Sequence, residues 1–149
     1  MHVMVVKEED GKKMTRVMVV DDERDLREMI ELLLKKEGFE TQTAEDGEDF
    51  LNKVDKFQPD LVTLDVMMPG LTTQEIISNL KHKDVSPKII LLTVIRYSEQ
   101  EKEKLKDMGI IDYVTKPFEL DDLINRIQGH ILGKNTPINK KKKKNKETF

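Results

Sequence analysis

The stretch Leu61-Val62-Thr63-Leu64-Asp65-Val66-Met67-Met68-Pro69-Gly70 decides how this chain folds. A short uncharged run, aliphatic and β-branched, ends in a carboxylate and then in a Pro-Gly turn signal. That length and those boundaries fit a strand buried on both faces. Three further runs share the layout. Val17 to Val20 lead into Asp21-Asp22, Ile89 to Leu92 into Thr93, and Ile110 to Val114 into Thr115-Lys116-Pro117.

Helix-period segments separate these runs. Leu26, Met29, Ile30, Leu33 and Leu34 recur at spacings of three and four and stop near Gly38, which predicts an amphipathic helix. Residues 39–44 read as a weaker strand, 46–56 as a polar helix, 60–64 as the third strand and 75–81 as a helix. Ser98 is placed to cap a helix over 99–108 that Gly109 stops. The last helix, over 119–131, turns Leu120, Leu123, Ile124, Ile127 and Ile131 inward. Five strands alternating with five helices predict an α/β fold. The expected architecture is a flavodoxin-like (βα)5 unit: a doubly wound, five-stranded parallel sheet with helices on both faces.

A chain of 149 residues suits one domain with a real core. Residues 14–132 are expected to form it. Residues 1–13 read as a flexible N-terminal extension and 133–149 as a disordered Lys-rich tail with five consecutive lysines, Lys140 to Lys144. Val3 to Val6 echo Val17 to Val20 across Asp10-Gly11, as a hairpin would. The first strand of a doubly wound sheet is central, however, and already paired on both sides. An upstream extension before a start at Met14 is therefore the preferred reading.

No apolar run approaches the roughly 20 residues that span a bilayer, so no membrane insertion is expected and a cytoplasmic location is the default. With no cysteine in the chain, disulfides and thiolate metal sites are excluded. The net charge of −3 hides an asymmetry: from Lys134 onward seven lysines face one glutamate, a surplus of +6, which leaves −9 on the rest. An acidic body does not suit duplex DNA, whose affinity comes mostly from phosphate neutralisation. The tail could touch an anionic surface, though solubility alone accounts for it.

In open parallel sheets the carboxyl ends of the strands share one edge, where ligands bind. Asp21, Asp22, Asp65, Thr93 and Lys116 would therefore meet in one cleft. Three close carboxylates repel and call for a cation. Mg²⁺ takes oxygen ligands and often only one or two carboxylates, and with Lys116 it brings the formal charge of the three aspartates to zero. Each element alone has a plainer explanation. Asp21-Asp22 could cap a helix, Thr93 is an ordinary strand residue, and Lys116-Pro117 marks a turn. Their joint occurrence at four strand ends carries the reading.

As a set, these motifs resemble the receiver domain of the two-component response regulators, of the stand-alone, chemotaxis-type kind. The resemblance runs over about 14–132 and rests on Val19-Val20-Asp21-Asp22-Glu23, Leu64 to Gly70, Thr93, and Gly109 to Phe118. It implies a phosphorylation-dependent switch rather than a turnover enzyme. Asp65 would be the phosphoacceptor, taking its group from a sensor histidine kinase or phosphotransfer protein. Asp21, Asp22, Asp65 and the backbone carbonyl of Met67 would hold Mg²⁺. Lys116 and Thr93 would contact the phosphoryl oxygens, and Lys116-Pro117 would be cis. Thr93 and Tyr113 would form the switch, repacking the face of helix four, strand five and helix five toward a downstream protein target. Homodimerisation on phosphorylation is a further expectation, and direct DNA binding is not expected.

Some positions depart from the pattern. Val94 stands where receivers usually carry alanine or glycine, which would narrow access to Asp65. Thr72-Thr73-Gln74 replaces the usual start of helix three. Met67 and Ile95 offer nothing to orient an attacking water, so a slowly hydrolysed phospho-form is expected. Two other readings compete. A docking module that is never phosphorylated has only Val94 in its favour. A Mg²⁺-dependent phosphatase would place a second Asp two residues beyond the nucleophile, where this chain has Met67.

Overall fold

A computed structural model describes residues 14–133. The expected extension over 1–13 and nearly all of the Lys-rich tail lie outside the described residues. In chain order the elements are β1 (Arg16–Val20), α1 (Arg24–Lys36), β2 (Glu40–Ala44), α2 (Gly47–Phe57), β3 (Leu61–Asp65), α3 (Thr73–Lys83), β4 (Lys88–Thr93), α4 (Glu99–Asp107), β5 (Ile110–Thr115) and α5 (Leu120–Leu132). The strands form one parallel sheet ordered β2-β1-β3-β4-β5, the doubly wound flavodoxin-like arrangement. β1 pairs with β2 on one side and β3 on the other, so the sheet leaves no edge of β1 for an upstream hairpin strand.

The uncharged runs form strands because both faces of the sheet are covered. Alternate residues feed two cores. Met18, Val20, Val62, Leu64, Ile89 and Leu91 join Phe50, Val54, Ile76 and Leu105 on the side of α2, α3 and α4. Val17, Val19, Leu61, Ile90 and Leu92 join Ile30, Leu34, Leu123 and Ile127 on the side of α1 and α5. In α1, Ile30 and Leu34 are buried as the period requires, but Met29 sits at the margin of the stripe and is exposed. In α5, Leu123, Ile124 and Ile127 are buried, with Leu120 and Ile131 packed at the ends.

Helix starts follow local chemistry. Asp46 caps α2, its side chain accepting from the Asp49 N–H at 2.8 Å. Ser98 caps α4 through a capping box with Glu101, as expected. Thr72 does the same for α3 with Glu75, so the unusual Thr72-Thr73-Gln74 segment starts the helix in full order. Gly109, at φ +93°, takes the left-handed conformation that turns the chain from α4 into β5.

β5 carries an irregularity. Ile89 is opposite Ile110, yet Ile90 is opposite Asp112, which makes Ile111 an extra residue. Ile111 and Asp112 therefore both lie on the α5 side. There the buried Asp112 carboxylate meets Arg126 Nη1 at 3.1 Å and His130 Nε2 at 3.0 Å.

Candidate functional site

Each site residue leaves its strand at the same edge. β1 ends at Val20 and delivers Asp21, whose N–H donates to the Ala44 carbonyl of β2 at 3.1 Å. Arg27 Nη1 donates to the Asp21 carbonyl at 2.8 Å and ties this corner to α1. Asp21 does not cap that helix. Its Oδ1 accepts from the Glu23 N–H at 2.9 Å in a local turn, while the N-cap residue, Glu23, makes no side-chain cap. Asp22 is exposed beside it. β3 ends in Asp65, 3% exposed, whose Oδ1 accepts from the Met67 N–H at 3.1 Å. The Val66 N–H donates to the Leu92 carbonyl, and the Lys116 N–H to the Thr93 carbonyl, which ties the ends of β3, β4 and β5 together.

Asp21, Asp22 and Asp65 can place carboxylate oxygens within 4.8 Å of one another. Lys116 Nζ lies 3.4 Å from Asp65 Oδ1 and 3.8 Å from Asp21 Oδ2. The Lys116-Pro117 peptide is cis, as expected. Asp21 is fully buried, and its Oδ2 has no hydrogen-bond partner. Burial accordingly pushes the Asp21 carboxyl up to about 6. The Glu23 N–H opposes that rise, Asp65 and Asp22 add to it, and Lys116 lowers it. A buried carboxylate oxygen without a donor, beside two more carboxylates, is the environment a hard cation with oxygen ligands completes. The residues present fit Mg²⁺.

The structure thus brings together all five residues expected at the cleft. Thr93 is fully buried at the end of β4, and its Oγ1 accepts from the Ile95 N–H at 2.9 Å. Tyr113 is 2% exposed, its ring already turned inward. Around the mouth stand apolar side chains open to solvent: Met67 is 61% exposed and Val94 56%.

One residue near the site escapes sequence reasoning. Tyr97, in the connection from β4 to α4, meets the Tyr113 ring edge-on with centroids 5.0 Å apart and an interplanar angle of 81°. The only available signal was an aromatic residue within four positions of Thr93.

A parallel sheet with an acidic cleft at the carboxyl ends of its strands, closed by a lysine on a cis X-Pro bond, defines a class of signalling domain. The chain belongs to the response regulator receiver domain family, whose model matches residues 17–128. It is similar to the chemotaxis protein CheY4 of Vibrio cholerae, at 30% identity over 78% of this chain and 98% of that one, with a TM-score of 0.69. A Francisella response regulator receiver domain matches at 31% identity over 79% of this chain and 95% of its own, with a TM-score of 0.67. The response regulator TrrA of Thermotoga maritima, solved in complex with Mg²⁺ and a beryllium fluoride, matches at 37% identity over 77% and 97%, with a TM-score of 0.62. Receiver domains are signalling domains, and this one carries their acidic pocket. Among the described residues no helix is long and apolar enough to cross a membrane.

Proposed function

We propose that the protein is a phosphorylation-dependent switch of a cytoplasmic two-component system, with Asp65 as the phosphoacceptor. One observation carries the reading. The Asp65 carboxylate stands at the strand edge between Lys116 and the acidic pair Asp21-Asp22, with an unsatisfied buried oxygen on Asp21. Such a group is poised to bind charge, and phosphoryl transfer asks a protein mainly for positioning and for neutralising oxygens.

The donor is a sensor histidine kinase or a phosphotransfer protein carrying a phosphohistidine. An oxygen of Asp65 attacks phosphorus, the P–O bond forms as the P–N bond breaks, and the leaving imidazole keeps the electron pair and takes up a proton. Oδ1 is oriented by the Met67 N–H and faced by Lys116, whereas Oδ2 has no hydrogen-bond partner among the described residues. Asp21, Asp22, Asp65 and the Met67 carbonyl would hold Mg²⁺. When bound, the ion supplies positive charge for the phosphoryl oxygens. Lys116 adds a second positive charge from the β5 side, and Thr93 turns its hydroxyl toward the new group.

Acceptance adds a dianionic group with strong acceptors, a local charge event that biases how α4, β5 and α5 pack. That face then meets a downstream protein target or a second copy of the chain. The exposed Val94 favours a second reading, a docking module that is never phosphorylated.

The deciding experiment is intact mass after incubation with Mg²⁺ and acetyl phosphate, comparing wild type with Asp65→Asn. A metal-dependent gain of one phosphoryl group by wild type alone supports the switch. No gain in either protein supports the docking module.

A further inference from the structure

Every strand of the sheet is parallel and each helix carries the chain back, so the helices all run opposite to the strands. Their first turns gather at the edge that holds the cleft, and their last turns at the far end, the base. Charge is sorted the same way. The first turns carry Asp25, then Glu48 and Asp49, Glu75, Glu99 and Glu101, and Asp121 and Asp122. The last turns carry Lys35 and Lys36 in α1, Lys56 in α2, Lys81 and Lys83 in α3, and Lys104 and Lys106 in α4. Each placement suits the dipole of its own helix. In a parallel fold the placements add, and the molecule has an acidic edge and a basic base.

Carboxylates stand at the base too, but several are engaged. Glu40 pairs with Arg16 at 3.1 Å, Asp55 with Lys83 at 2.9 Å, and Asp60 accepts from the Arg16 N–H at 2.8 Å. Glu37, Asp84 and Asp107 dilute the patch. Lys36, Lys56, Lys81 and Lys104 are exposed and have no carboxylate partner among the described residues. The Lys-rich segment leaves from this same end: α5 closes at Gly133, and from Lys134 onward seven lysines face one glutamate. Beside that exit Leu132 is 48% exposed.

We propose that the base of the sheet, together with Lys140 to Lys144, adsorbs the protein onto an anionic lipid bilayer, with Leu132 entering the acyl boundary. The net charge of −3 does not forbid this. A helix as long as α5 spans about 20 Å, more than two Debye lengths of about 8 Å at physiological salt, so the acidic edge is screened from a surface at the base. A bilayer is favoured over nucleic acid because Leu132 gains by leaving water for acyl chains and gains nothing from a phosphate backbone. The inference concerns the end opposite the cleft and does not depend on which residue accepts a phosphoryl group. Adsorbed in this way, the protein holds its cleft away from the surface, open to whatever delivers that group.

The test is co-sedimentation of the full chain with vesicles of phosphatidylcholine alone or mixed with phosphatidylglycerol. Wild type should bind only the anionic vesicles and should be released by high salt. Each lysine near the surface should be worth about fivefold in partitioning. The triple variant Lys56→Gln, Lys81→Gln and Lys104→Gln should therefore bind far more weakly, as should the five changes Lys140→Gln to Lys144→Gln. Leu132→Ser should weaken binding while leaving its salt dependence unchanged. Phosphoryl acceptance from acetyl phosphate should be unaltered in all three variants, which separates a lost surface from a lost fold. Asp65→Asn should bind vesicles as wild type does, so failure of Asp65 as acceptor leaves this inference standing. Equal binding to neutral vesicles overturns it, as does wild-type binding by the triple base variant. Tighter binding to duplex DNA than to anionic vesicles, unaffected by Leu132→Ser, overturns it in favour of nucleic acid.

Discussion

Lys116 Nζ stands 3.4 Å from Asp65 Oδ1, close enough to neutralise charge and too far for a strong hydrogen bond. The separation leaves the ammonium free to follow oxygens that arrive on Asp65. Lys116→Ala should therefore slow phosphorylation by acetyl phosphate about a hundredfold, the scale seen when one preorganised charge-stabilising group is lost, while the fold survives. A rate within twofold of wild type by intact mass would remove Lys116 from the chemistry.

Asp21 makes metal-free stability depend on pH. Its native pKa of about 6 lies above the ordinary 3.8, so the folded state holds this proton more tightly than the unfolded chain. Stability is then greatest below 3.8 and falls as pH rises through about 6, by about 3 kcal/mol for this group. In urea unfolding with a chelator present, Asp21→Asn should flatten that part of the profile and exceed wild type at neutral pH. It should also lose most of the stabilisation that added Mg²⁺ gives wild type. An unchanged profile would show that Asp21 is not strained.

Arg126 and Asp112 pair at 3.1 Å with both side chains almost wholly buried. Removing the carboxylate alone strands a guanidinium in the core. Asp112→Ala should cost about 3–5 kcal/mol in urea unfolding, whereas changing Glu28 in the exposed Arg24–Glu28 pair should leave the midpoint almost unmoved. Similar costs at the two sites would contradict the burial argument.

Thr72→Ala removes one half of the capping box that starts α3. The expected loss is about 1 kcal/mol, with phosphorylation of Asp65 unaffected. Hydrogen exchange confined to the first turn of α3 would locate the effect, and a loss spread over the sheet would argue against it.

Val94 is exposed at the mouth of the cleft and projects no polar group toward it. Val94→Ala should speed both acquisition of the phosphoryl group and its hydrolysis, because it widens access from one side without touching Asp65 or Lys116. With Met67 and Ile95 also apolar, the wild-type phospho-form should outlast minutes. Loss within seconds in the purified protein would show that water is being oriented after all.

Much of this was open to sequence reading because strand ends in a parallel sheet share an edge. Asp21, Asp65, Thr93 and Lys116 each follow an apolar run, and the doubly wound order does the rest. What escaped was packing that no period encodes. The Thr72-to-Glu75 box was present in the letters but obscured by an atypical neighbourhood. Arg126 reads as a solvent residue until Asp112 is placed opposite it. Ile110-Ile111 looks like ordinary strand, so nothing in the letters reveals that one of the two is supernumerary. Tyr97 meets Tyr113 only because the connection from β4 to α4 brings it back against β5.

That extra isoleucine sets the phase of everything after it. A strand alternates its sides strictly, and Ile111 resets the count halfway along β5. Beyond it Tyr113 looks toward α4 and Val114 toward α5. Were the ladder unbroken, with Ile90 opposite Ile111, the two would trade places: the phenol ring would enter the α5 core, and a valine would stand opposite Tyr97. An irregularity remote from the aspartates thus decides which helix the Tyr113 ring faces.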